Sequence, residues 1–201
     1  MKLILYLFII IWLTSCSGHH YNDSAYNTTY AVDKIPGIDS FQTLNSSEKT
    51  MAQQLSKGSD SGTSSFRNER ARVFLQYYIN GKISSQDPAL RTGIPALCLC
   101  NVDKDTLTVI NVVNFYAGIG KIKIFDNQFE SSYFLYTKLK NKFQSLILDK
   151  QPSFKRGQQI SGYLTFTSSD FTRVGNTDYV RGRIYFTCKT KKKRKNAVID
   201  F

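Results

Sequence analysis

Ile160-Ser161-Gly162-Tyr163-Leu164-Thr165-Phe166-Thr167 and Val180-Arg181-Gly182-Arg183-Ile184-Tyr185-Phe186-Thr187 align residue for residue. Each runs β-branched, variable, Gly, variable, aliphatic, variable, Phe, Thr. Side chains alternate between the two faces of a strand. The spacing therefore gathers the β-branched residue, the glycine, the aliphatic residue and the phenylalanine on one face, which reads as the core face. A glycine turned into a core weakens a strand unless something uses the missing side chain, such as a bulge or a large residue packing across it. Two successive strands with the same device predict neighbours in one sheet.

Outward from this pair the chain keeps to short runs of β-branched and aromatic residues separated by turn signals. Arg72 to Ile79 leads into Asn80-Gly81, a two-residue hairpin signal. Ile94 to Val102 passes through Asp103-Lys104-Asp105 into Thr106 to Phe115, where Leu107, Val109, Asn111 and Val113 share one face. Lys121-Ile122-Lys123-Ile124 alternates as a half-buried strand does. Further strands are expected at Tyr133–Leu139, Phe143–Leu148, Ile160–Thr167, Tyr179–Cys188 and Ala197–Phe201. Leu135, Leu139, Phe143, Leu146 and Ile147 also fit a helical face, but the neighbours favour a hairpin turning at Lys140-Asn141-Lys142. The expectation for residues 66–201 is an all-β domain, an antiparallel β-sandwich or barrel-like sheet, with one packed helix as the alternative over 133–149.

Residues 16–65 read differently. They are rich in Ser, Asn, Thr, Asp and Gly, with apolar residues too scattered for a core, and 57–65 has the composition of a flexible linker. A tether is expected, with a short helix at Ser47 to Lys57 carrying Met51 and Leu55 four apart and Glu48 in its first turn. The sequons at Asn27 and Asn45 are read as chance.

Catalytic sets are hard to assemble from this composition. The two histidines, His19 and His20, lie within the tether, which excludes histidine-based nucleophilic catalysis and histidine zinc sites from the domain. Carboxylates are few and sit mostly in turns such as Asp87-Pro88 and Asp103-Lys104-Asp105, where backbone capping explains them. A glycosidase needs two facing carboxylates about 5 to 9.5 Å apart, and no spacing points to such a pair. Gly118-Ile119-Gly120 lacks the strand–glycine–helix context of a phosphate loop and reads as a bend. No cofactor and no metal site is expected. Trp12 is the sole tryptophan; Tyr77, Tyr78, Tyr133 and Tyr136 could supply stacking platforms for a sugar, although strand aromatics usually pack in the core or across strands.

Charge is the positive feature. From Phe66 onward 23 Lys and Arg face 10 Asp and Glu, while residues 16–65 are slightly acidic. The excess gathers at Lys189, Lys191, Lys192, Lys193, Arg194 and Lys195, with Arg181 and Arg183 in the preceding strand. Such a run attracts anionic surfaces, at about 1 kcal/mol per basic residue near a charged bilayer. The same run also suits a solvated turn whose lysines discourage edge pairing. Nucleic acid is not expected, since no reading motif accompanies the charges. Besides Cys16, three cysteines remain. Cys98 and Cys100 share a strand face, and Cys188 can bridge to either if the strands are neighbours; the alternative is three buried thiols acting as small hydrophobes.

The first residues, Met1-Lys2, precede an apolar run over residues 3–13. A membrane-spanning helix needs roughly 20 apolar residues, so this run suits the apolar region of an export signal. Leu13-Thr14-Ser15-Cys16 resembles the lipobox of bacterial lipoproteins: a branched apolar residue, two small residues and a cysteine. The resemblance implies cleavage between Ser15 and Cys16, diacylglycerol on the Cys16 sulfur and acylation of the new amino end. One acyl chain holds reversibly, at about 0.8 kcal/mol per buried methylene, whereas two or three hold stably. By the same resemblance, Ser17 in place of aspartate points to the outer membrane, facing the periplasm or the surface. The paired 160–167 and 180–187 segments also loosely resemble closing hairpins of small sandwich-type bacterial lipoproteins. The reading is therefore a signal peptide at 1–15, a tether at 16–65 and a β domain at 66–201. Together they make a lipid-anchored envelope lipoprotein with a non-enzymatic binding or assembly domain. Its expected partners are the membrane and an envelope protein. Binding of anionic glycan or lipid through the basic run is the first alternative, and a hydrolase of unfamiliar type the second.

Overall fold

A computed structural model of the chain describes residues 28–56, 68–84, 93–113, 119–134, 138–173 and 175–192. The export signal expected at 1–15, Cys16, the linker expected at 57–65 and the strand expected at Ala197–Phe201 lie outside them. The described strands are β1 (Thr28–Thr29), β2 (Ala31–Val32), β3 (Arg70–Ile79), β4 (Lys82–Ile83), β5 (Ile94–Asp103), β6 (Thr106–Val113), β7 (Ile119–Phe125), β8 (Gln128–Phe134), β9 (Lys138–Leu148), β10 (Gln159–Ser168), β11 (Phe171–Arg173) and β12 (Asn176–Lys192). The helices among the described residues are α1 (Ile38–Gln42) and α2 (Ser46–Ser56).

The two echo segments are neighbours, β10 and β12, and their register explains the glycines. Gly162 lies opposite Phe186, Leu164 opposite Ile184, and Phe166 opposite Gly182. A Cβ on Gly162 would collide with the Phe186 ring, and one on Gly182 with the Phe166 ring. Each phenylalanine thus occupies the space that the facing glycine leaves, and the pairing reads the same in both directions. All six of these residues are buried.

From β12 the sheet extends both ways in the order β1-β8-β7-β6-β5-β3-β12-β10-β9-β2, with β4 on β3 and β11 on β12. The architecture is all-β and barrel-like, and one core fills it. Val73, Leu75, Cys98, Leu107, Val109, Ile122, Ile124, Phe129, Leu146, Leu148, Ile160 and Val180 all belong to that core. The sheet is not a fully closed cylinder. Its ends, β8 and β9, pair directly only from Ser132↔Lys140 to Phe134↔Lys138. Where they diverge, Thr28–Val32 enters between them, β1 against β8 and β2 against β9. Tyr30 plugs this gap, donating to the Asp126 carbonyl at 2.9 Å and accepting from the Gln151 amide at 2.7 Å.

Local signals hold at the turns. Asn80 and Gly81 have φ 48° and 76°, the pair of positive values that a type I′ hairpin requires. Between β5 and β6 the chain reverses at Lys104, φ 51°. Four expectations are corrected. The sheet is mixed, because β2–β9 and β12–β5 run parallel. Residues 138–148 form one strand through the turn expected at 140–142, antiparallel to β8. Lys189, Lys191 and Lys192 extend β12 instead of forming a turn. Finally, residues 28–56 are not a tether: they fold onto the sheet. Ile35, Phe41 and Ala52 are buried although no period links them. Among the described residues no helix is long and apolar enough to cross a membrane.

Candidate functional site

Alternation gives β3 and β12 a second, outward face carrying Arg70, Arg72, Phe74 and Gln76 on one strand and Arg181, Arg183, Tyr185 and Thr187 on the other. In register, Arg181 lies opposite Gln76, Arg183 opposite Phe74, Tyr185 opposite Arg72, and Thr187 opposite Arg70. This face divides into a covered half and an uncovered half.

The covered half lies beneath α1 and α2. The start of α2 is a reciprocal cap: the Glu48 N–H donates to Asn45 Oδ1, and the Asn45 N–H donates to Glu48 Oε2, both at 2.8 Å. The capping carboxylate is buried and is also held by Arg72, whose Nε donates to Oε1 at 2.9 Å and whose Nη2 donates to Oε2. The same guanidinium donates to the carbonyls of Ser40 at 3.1 Å and Thr43 at 3.0 Å. Arg70 donates to those of Phe41 and Gln42. Phe41 lies beneath both guanidinium groups, 4.8 Å and 5.6 Å from its ring centre, and stacks on Tyr185. Burial first, and then the neighbouring Tyr163, raise the Tyr185 phenol above its ordinary pKa.

The uncovered half is a trough of about 540 Å³ crossing β3, β12, β10 and β9. Its cations are Arg181 and Arg183, both exposed. Arg183 lies 5.0 Å over Phe74, and Arg181 lies 5.0 Å over Tyr78, which is itself stacked on Tyr179. Among the described residues that line the trough, none is a carboxylate. Among the described residues, neither arginine has an ion-pair partner. Thr165, Thr167 and Ser145 supply hydroxyls, and Phe143 and Ile83 stand 68% and 57% exposed at its margins. Sequence reasoning counted Arg181 and Arg183 in the basic excess but did not find the trough around them, whose signal was two arginines on the outer face of an echo strand.

The three cysteines of the domain meet where β3 begins. β12 runs on past Arg70, the first residue of β3, and pairs directly with β5, Thr190 facing Cys100. A disulfide joins Cys100 to Cys188 there, with Cα atoms 5.8 Å apart, and so staples the seam. Cys98 remains a buried free thiol, its sulfur within 4.8 Å of the other two. Burial, and then Glu69, push this thiol's pKa well up. With two sulfurs in the disulfide, the cluster leaves one thiol to offer a metal, too few for a site.

Of the basic run, Lys189, Lys191 and Lys192 are exposed, and Lys191 Nζ pairs with Glu69 at 2.6 Å. Lys193, Arg194 and Lys195 lie outside the described residues, as do Cys16 and Tyr136. Tyr133, one of the residues read as a stacking platform, is buried in the core against Phe166, and burial raises its phenol. Among the described residues Glu48 and Asp178 are the buried carboxylates, and the first is committed to Arg72 and Asn45. No family model, no curated protein and no solved structure matches the chain.

Proposed function

We propose that this protein is a lipid-anchored envelope lipoprotein whose β domain binds a partner through its outer face and performs no chemistry of its own. The anchor reading rests on Leu13-Thr14-Ser15-Cys16 following the short apolar run. The binding reading rests on one observation: two arginines held over aromatic rings in an open trough, without carboxylate partners among the described residues. Arginine so placed has its planar fork of donors preorganised for an anionic group, at little further entropic loss. An outer-membrane location, the lipid tails in the bilayer and the trough turned toward a partner, fits Ser17 after the cysteine.

Metabolic labelling with a radioactive fatty acid tests the anchor. Label should enter the full chain and be absent from Cys16→Ser; label that persists in the variant overturns the assignment. The alternative surface, Lys189 to Lys195, is tested on acidic vesicles at two salt concentrations, where binding of this kind weakens as salt rises. Retention that salt does not change, or that survives replacement of the lysines by glutamine, removes it.

A further inference from the structure

We infer that the trough receives a segment of a partner polypeptide carrying a carboxylate and a large apolar side chain, an inference that rests on the binding role proposed above. The molecule contains its own precedent. On the same face of the same sheet, Arg70 and Arg72 receive a polypeptide segment, residues 38–48. They take four backbone carbonyls, one carboxylate and one aromatic ring. The trough repeats the receiving half of that arrangement. Arg181 and Arg183 alternate along one strand as Arg70 and Arg72 do, which places their Cα atoms about 7 Å apart, the repeat of alternate residues in an extended peptide.

The remaining chemistry fits the same occupant. Hydroxyl groups of Thr165, Thr167 and Ser145 can exchange hydrogen bonds with backbone amides, and Phe143 and Ile83 are exposed apolar surface for a ring to cover. Among the described lining residues none is a carboxylate, and two guanidinium groups there suit an anion brought by the partner. The tyrosines are closed to a stacking sugar, since Tyr78 and Tyr179 are stacked on one another at 4.4 Å and overlain by Arg181, and the exposed Phe143 stands at the margin, away from that pair. A lipid surface would engage the broader lysine-rich end of β12 at least as well, so it would not single out the two arginines.

The test uses the full chain as bait for a random display library of short peptides, with the double variant Arg181→Gln, Arg183→Gln as counter-bait. Peptides combining Asp or Glu with an aromatic residue should be enriched. A peptide selected in this way should bind at least tenfold more weakly to the double variant and several-fold more weakly to Phe143→Ala. Binding should stay within about twofold when Lys189, Lys191 and Lys192 become glutamine. Circular dichroism and thermal unfolding of each variant separate loss of binding from loss of fold. Enrichment without acidic residues, or equal binding to the double variant, overturns the inference. So does arginine-dependent capture of phosphatidylglycerol vesicles or of polygalacturonate in place of peptide, which would assign the trough to lipid or glycan. Absence of label on Cys16 would remove the envelope anchor and leave the peptide result untouched, so the two failures can be told apart.

Discussion

Arg70 and Arg72 on one half of the outer face, and Arg181 and Arg183 on the other, are the same residue type at the same spacing on adjacent strands. Their circumstances are opposite. The first pair is 4% and 7% exposed and meets backbone carbonyls and a buried carboxylate. The second is exposed and lies over aromatic rings, with no ion-pair partner among the described residues. The difference comes from residues 35–56, which cover one half and stop short of the other. A guanidinium under a cover must find its partners within that cover, because burial without them is expensive. One left uncovered keeps its donors for water or for another molecule.

Removing Glu48 should break this contrast most severely. Glu48→Ala leaves the buried Arg72 without its carboxylate and removes one half of the reciprocal cap of α2, the bond from the Asn45 N–H. Breaking one side of a buried pair typically destabilises by about 3–5 kcal/mol. Residues 35–56 can escape that penalty by lifting off the sheet, so the loss is limited to what docking them contributes. Urea unfolding should show the destabilisation, and hydrogen exchange should show protection lost over residues 38–56 before the strands. Adding Arg72→Met to Glu48→Ala should recover part of the stability, since apolar replacement of a buried pair is often tolerated. An unchanged midpoint and unchanged exchange would mean that the cover does not depend on the ion pair.

The disulfide offers a second, somewhat smaller test. Cys100 and Cys188 close a loop of sequence separation 88, and replacing both with alanine should destabilise by about 2–4 kcal/mol. The bond lies at the covered end of β12, where Arg70 begins β3, and not at the trough end. Exchange should therefore rise first around residues 98–102 and 188–192, with the trough strands still protected. Uniform loss of protection would show that the two halves share one fate. Cys98 should stay unreactive toward iodoacetamide in the folded wild-type protein, because its buried thiol resists ionisation.

How much of this was legible follows from how locally each feature is written. Period-2 alternation is local, so the echo, the core faces of β10 and β12, and the need for a bulge or a large residue to use the space at each glycine could be read directly. The cover could not. Ile35, Phe41 and Ala52 have no shared period and sit among polar residues, so they look like a tether until the sheet supplies what they pack on. Asn45 and Glu48, three apart at a helix start, were the available clue. The trough was illegible for another reason: Arg181 meets Gln76 and Phe143 meets Thr167 through long-range register alone. Phe143 shows the ambiguity well. A helical reading grouped it with Leu146, whereas in β9 Leu146 points inward and Phe143 points out into the trough.

The smallest expected effect sharpens the contrast most. Arg181→Gln with Arg183→Gln should change unfolding stability by no more than about 0.5 kcal/mol, as surface substitutions without buried partners do. That near-zero value carries weight only beside Glu48→Ala on the same face. If the double variant were as destabilised as Glu48→Ala, its arginines would be structural props for Phe74 and Tyr78, and the trough would have no donors free to give away. If stability holds while peptide capture is lost, the guanidinium groups contribute to a contact that the isolated chain does not make, as a site built for a partner requires.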